Sequence, residues 1–264
     1  MRDLFKALLV LLVAAVPEAN AQDGGPGPGP TATVAVIVDG DTVVLGSPID
    51  GATQVRLVGI QAPKLPLGRK DFPTWPLAAE AKQALAELVL GKTVSLSFGG
   101  TEKDRHGRLL AHLHRQDGDW IQGRMLSLGM ARVYSFPDNR ARVAEMLALE
   151  SSARKAGLGI WGHPFYAVIA PVQAARAIGT FQLVRGRVLK AARVKGRIYL
   201  NFGDDWRTDF TVTLEAKARR LFRSAGLDPL ALEGRWLRVR GWLKKWNGPM
   251  IEATHPEQIE LLAD

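Results

Sequence analysis

Val38-Asp39-Gly40-Asp41-Thr42 sets two carboxylates on either side of a glycine, and Arg56-Leu57-Val58-Gly59-Ile60 delivers one guanidinium from a second strand-like run. Acids beside a fixed guanidinium are what metal-assisted attack on a phosphodiester needs. Carboxylates hold a hard cation, and arginine's planar fork meets phosphate oxygens as charge builds on them. Gln61 and Lys64 stand where such a site would want two further acids. Taken alone, Asp39-Gly40 is also a plain hairpin dipeptide between β-branched runs.

The elements that must position these residues are short. Thr33 to Leu45 is a strand pair broken at Asp39-Gly40, and Gln54 to Ile60 is a third strand. Pro76 to Leu90 places Ala81, Leu85 and Leu88 at helical spacing, with Gly91 as its stop. Strands at Val94 to Phe98 and Leu109 to His114 flank the turn Asp104-Arg105-His106-Gly107-Arg108. Helices follow at Trp120 to Leu128 and Asn139 to Ala156. Three strands, a helix, two strands and two helices predict a β-rich α+β fold, an OB-type five-stranded barrel buttressed by helices. From Gly179 the order repeats: strands at 182–191, 197–202 and 209–214, a helix at 215–225, and strands at 236–243 and 250–253. This predicts a second OB-like barrel domain.

The chain has 264 residues with a net charge of +9. From residue 179 onward sixteen Lys and Arg face ten Asp and Glu, so most of the excess lies in the second barrel. A polyanion is the expected partner, nucleic acid first, bound with strong salt dependence. Cysteine is absent, which excludes disulfides, thiolate metal ligands and thiol nucleophiles. Arg2 and Lys6, the apolar run Ala7 to Val16 and Ala19-Asn20-Ala21 form an export-signal pattern over residues 1–21. Its ten apolar residues are short of the roughly 20 a membrane-spanning helix needs. A periplasmic or secreted protein is expected, with an uncleaved anchor as the alternative. Residues 22–32, rich in Gly and Pro, are a tether; 33–163 and 179–264 are the two domains, and 164–178 links them.

Several motifs in order carry a family resemblance: Asp39-Gly40-Asp41-Thr42, Arg56-Leu57 with Gly59-Ile60 and Pro63, Asp104 with Gly107-Arg108, Gly129-Met130-Ala131, and Gly159-Ile160-Trp161. The stretch 33–162 resembles the thermonuclease-like (staphylococcal-nuclease-type) domain. Such nucleases cleave DNA and RNA with calcium. The resemblance implies that Asp41 is a metal ligand with Asp39 just outside it, and that Arg56 and Arg108 clamp the phosphate. The chain departs from the family pattern at Gln61, in place of the second metal-binding aspartate, and at Lys64, in place of the base-like glutamate. Gln61 offers a carbonyl oxygen without charge. Lys64 adds a positive charge able to bind phosphate directly. Asp71 or Glu80 would have to supply any replacement acid.

In Trp236 to Leu243, alternation puts Leu237, Val239, Gly241 and Leu243 on one face and Trp236, Arg238, Arg240 and Trp242 on the other. That aromatic and cationic face suits single-stranded nucleic acid, with bases on indoles and arginines on phosphates. It equally suits packing against the first domain. Asn201-Phe202-Gly203 and Asn247-Gly248-Pro249 are expected to be turns. His112 and His114 share a strand face without a third ligand. Three functions stay open: metal-assisted phosphodiester hydrolysis, a catalytically degenerate barrel that binds nucleic acid or another polyanion, and an envelope module that takes a protein partner on its tryptophans.

Overall fold

The computed structural model describes residues 29–263. The export-signal pattern, the start of the tether and Asp264 lie outside the described residues. Five strands close the first barrel: β1 (Thr31–Asp39), β2 (Thr42–Ile49), β3 (Ala52–Leu57), and, after a short β4 (Gly59–Gln61), β5 (Thr93–Ser97) and β6 (Leu109–Arg115). Their ring order is β1-β2-β3-β6-β5, with β3 parallel to β6 and every other pair antiparallel. Inward-facing Val34, Val43, Val55, Leu57, Leu96 and Leu113 are fully buried, as period-2 alternation on a barrel wall requires.

Helix α1 (Ala78–Val89) runs between β4 and β5 and buries Ala81, Leu85 and Leu88 against this core. It comes so close to the β1–β2 turn that only glycine fits at residue 40. A Cβ there would lie 2.6 Å from the Ala62 Cβ and 2.8 Å from the Ala81 Cβ. Helices α2 (Ile121–Ser127) and α3 (Val143–Lys155) cover the other side, and β7 (Arg132–Tyr134) between them pairs with β4. That pairing sets Gln61 opposite Arg132.

The second half builds the same ring from bent strands. β8 (Phe181–Arg187) continues into β9 (Lys190–Val194), followed by β10 (Arg197–Asn201) and β11 (Thr211–Leu214). After α4 (Arg219–Ser224), β12 (Trp236–Trp242) continues into β13 (Lys244–Trp246), then β14 (Gly248–Glu252) and β15 (Ile259–Leu261). One sheet runs β13-β14-β11-β10-β9 and the other β15-β12-β8. Because β8 leads into β9 and β12 into β13, the two sheets share their bent strands. Treated as one strand each, these give the order of the first barrel, including a parallel pair at β11 and β14. Leu200, Val212, Phe222, Leu237 and Val239 fill this second core.

A charged seam joins the barrels. Glu150 of α3 is completely buried and accepts hydrogen bonds from Arg154 at 2.6 Å, from Arg240 at 2.8 and 2.9 Å, and from the Val133 amide at 2.6 Å. Arg240, itself 1% exposed, also pairs with Glu260, which receives Arg238 and Arg154 as well. Arg140 forks onto Glu257, and His255 shares a 2.8 Å hydrogen bond with Ser135. The stretch 164–178 is packed rather than slack: Tyr166 donates to the Pro76 carbonyl at 2.7 Å, and Ala174 is buried in the second core.

Removing one member of a buried ion network leaves the other charges without compensation, which costs about 3–5 kcal/mol. Glu150→Ala is expected to lower the unfolding free energy by about that amount in urea denaturation. A loss under about 1 kcal/mol would rank the seam with ordinary surface ion pairs.

Candidate functional site

The turn between β1 and β2 carries both aspartates. Asp39 Oδ1 accepts the Asp41 amide at 3.1 Å, which tightens the turn and aims both carboxylates beneath the β4–α1 connection. Asp41 has no exposed surface and Asp39 very little. Asp41 Oδ2 accepts the Ala62 amide at 2.7 Å, and its Oδ1 accepts the Thr42 hydroxyl at 3.2 Å and faces Arg56 at 3.2 Å. The decisive contact is Lys64. Its Nζ lies 2.6 Å from each Asp41 oxygen and 3.1 Å from Asp39 Oδ2. The Lys64 backbone is held in turn, since its carbonyl accepts the Trp75 amide at 2.9 Å and closes the loop that follows.

Burial opposes charge on Asp41, but Arg56 and Lys64 outweigh it and hold the carboxyl well below the usual carboxylate range. Asp39 goes the other way. Burial, reinforced by repulsion from Asp41, raises it against the partial relief that Lys64 gives.

These donors do not fit calcium, which asks for about six to eight oxygen ligands with several anionic. An ammonium already sits between the two carboxylates, where a cation would have to lie. Gln61 points its carbonyl oxygen elsewhere, accepting Arg132 Nε at 3.0 Å and its terminal nitrogen at 2.7 Å. Among the described residues no group of three or more His, Asp and Glu is placed to hold a metal. Lys64 and Arg132 take up the oxygens of Asp41, Asp39 and Gln61 that were expected to hold a metal. Asp71 and Glu80, the two candidate replacement acids, are exposed.

Arg56 and Arg108 open onto one cavity of ≈ 580 Å³, which they line together with His106, Tyr134, Asp138 and Asn139. Arg56 is partly occupied in holding the turn, donating to the carbonyls of Asp41 at 3.2 Å, Leu57 at 2.9 Å and Ile60 at 2.7 Å. Arg108 binds Asp104 Oδ2 through Nε at 2.7 Å and through a terminal nitrogen at 2.6 Å. Asp104 is fixed by the amides of His106 and Arg108. One guanidinium edge of Arg108 stays available to an anion.

Tyr134 was not legible as a cavity residue. Its strand has three residues, and its partner β4 lies far away in sequence. The Trp242 indole donates to its hydroxyl at 2.9 Å, so the second barrel props the cavity wall.

On the outer face of β12 the packing alternative accounts for the arginines. Leu237, Val239 and Leu243 point into the second core as alternation predicts. The outward Arg240 meets Glu150 across the seam, and Arg238 pairs with Glu260 on the neighbouring strand β15. Trp236 and Trp242 are partly exposed beside them.

A five-stranded barrel with turn aspartates, and with two arginines opening onto one cavity, defines a nuclease-type OB barrel. The chain belongs to the staphylococcal nuclease homologues, whose family model matches residues 54–163. It is 32% identical over 126 residues to an uncharacterized endonuclease of Escherichia coli O157:H7, covering 47% of this chain and 74% of that protein. It is 26% identical over 126 residues to a thermonuclease of Staphylococcus intermedius, covering 47% of this chain and 72% of the relative. Endonuclease YhcR of Bacillus subtilis (strain 168) matches at 29% over 131 residues, which is 47% of this chain and only 11% of that protein.

Burial pushes His112 and His255 down to about 4 from 6.5. Between those values the unfolded chain binds more protons than the folded one, so stability falls as pH falls. Asp41, held low, loses its contribution at still lower pH, and Asp39 opposes it in sign. Thermal unfolding from pH 7 to 4.5 should show a falling Tm, and His255→Gln should flatten part of that slope. An unchanged slope would mean that His255 titrates freely.

Proposed function

We propose that this chain is a nucleic-acid-binding member of its family whose first barrel grips phosphate without calcium-assisted cleavage. The observation that carries this reading is the Lys64 ammonium, 2.6 Å from both oxygens of Asp41 and 3.1 Å from Asp39. Cleavage by the family's route needs a carboxylate to hold a cation and another to take a proton from water, the latter typically contributing ~10²–10⁴ in rate. A protonated lysine does neither. Phosphate recognition asks less, and its parts are in place: Arg56 and Arg108 on one cavity, with Lys103 and Arg105 at its edge. The net charge of +9 supports a polyanionic partner, and arginine on phosphate does not depend on base sequence. The pattern of residues 1–21 supports export to the periplasm or beyond.

The test is a binding and cleavage assay on the purified chain with single- and double-stranded DNA and RNA. Binding should weaken steeply with salt, and Arg108→Ala should lower the slope of log K against log salt by about 1. Added calcium should release no nucleotides. Calcium-dependent cleavage that disappears in Arg56→Ala would overturn the reading. In the reverse direction, Gln61→Asp with Lys64→Glu should create calorimetrically measurable calcium binding, with cleavage rising by ~10²-fold or more as the missing carboxylates return.

A further inference from the structure

A second cavity of ≈ 500 Å³ lies on the outside of the second barrel, over the sheet β13-β14-β11-β10-β9. The seam with the first barrel uses β12 and β15 of the other sheet, so this hollow is separate from the arginine cavity. Alternation builds its floor. In β10, Ile198 and Leu200 point into the core and Tyr199 and Asn201 point out; in β11, Val212 and Leu214 point in and Thr211 and Thr213 point out. Thr211 and Thr213 are nonetheless buried, at 9% and 2% exposure, because the surface curves over them.

Two indoles stand at the walls. Trp246 comes from β13, and Trp206 from the loop between β10 and β11; they are 59% and 51% exposed. Large exposed aromatics on a concave surface mark a recognition site more often than a solvated one. Each indole has a guanidinium by its ring: Arg197 lies 5.6 Å from Trp246 and Arg207 4.4 Å from Trp206. Of the three acids of the Trp206 loop, Asp204 is exposed, and Asp205 and Asp209 are engaged locally. Asp205 accepts the Arg207 amide at 3.0 Å, and Asp209 accepts the Asp205 amide at 2.8 Å. Arg197 and Lys244 are balanced by Glu215 and Glu252. Among the described residues, Lys190 on the cavity wall and Arg207 beside Trp206 form no ion pair.

We infer that this groove binds single-stranded nucleic acid, with unpaired bases stacked on Trp206 and Trp246 and the backbone met by the surrounding cations. Bases in a duplex have no free faces to offer two indoles, whereas a single strand has both faces and charge. A neutral sugar would use the indoles and leave the cations without a role. The inference rests on the nucleic-acid reading above and adds which form is bound and where.

The experiment is fluorescence anisotropy of a labelled oligothymidylate of about 12 nucleotides, within the span of one OB fold, titrated with the full chain. Variants are Trp206→Ala, Trp246→Ala, Trp246→Phe and Arg108→Ala, with circular dichroism and melting to verify folding. Each alanine change in the groove should weaken single-strand binding about 5- to 150-fold, the stacking contribution of one base. Trp246→Phe should recover most of the loss, and indole emission should be quenched on binding. If both alanine variants bind the oligonucleotide like the unchanged chain, the groove inference is overturned. It is equally overturned if a neutral chito-oligosaccharide quenches the indoles and the oligonucleotide does not. Loss in the tryptophan variants with none in Arg108→Ala would uphold the groove and remove the first-barrel reading; the converse would do the opposite.

Discussion

One ammonium group seated between two carboxylates governs how the first barrel can behave. Asp39 and Asp41 are brought together by a two-residue turn whose glycine is required by the closeness of Ala62 and Ala81. Two buried acids at that separation repel each other and lose hydration, so something positive must stand between them. In this chain that something is covalently attached. Lys64 arrives on a loop closed by the Trp75 amide and reaches both acids, while Arg56 braces the same turn through three carbonyls. A tethered cation is present at full occupancy whatever the calcium concentration, which makes the pocket a permanent fixture.

The same economy of charge appears at Gln61. A neutral amide there accepts the buried Arg132 guanidinium through two nitrogens, and Arg132 lies within 4.6 Å of the Phe181 ring centroid. Burial lowers Arg132 to about 10, as expected for a cation facing an amide and aromatic rings in place of an acid. Gln61 and Lys64 thus share one trait. Each stands where the resemblance implies an acid and is already satisfied inside the protein, while Arg56 and Arg108 line the cavity.

Much of this was readable from residue types. The Asp39-Gly40 turn, the helix ending at Gly91, the inward leucines and valines of β12, and the barrel order of both halves all follow from local periodicity and turn chemistry. What periodicity cannot supply is the identity of the surface that a strand's outer face meets. Alternation placed Arg240 outward correctly, but nothing local to β12 names Glu150, which comes from a helix of the other barrel. The Gln61–Arg132 pair depends on a three-residue strand too short to announce itself. Asn201 and Asn247 were expected only to make turns, yet both line the groove of the second barrel. A turn propensity and a place on a cavity wall are compatible, and the first conceals the second.

The seam has a consequence for how the molecule can be divided. The family match stops at residue 163, which invites excision of the first barrel as a stand-alone unit. Such a fragment would keep Glu150 but lose Arg240, and Tyr134 would lose the indole that steadies it at the mouth of the arginine cavity. An ionised glutamate would then face water where it once faced a guanidinium, and the nearby wall would be free to shift. The shortened barrel is therefore a different object from the same residues in the intact chain, and affinities measured on it describe the cut as much as the protein.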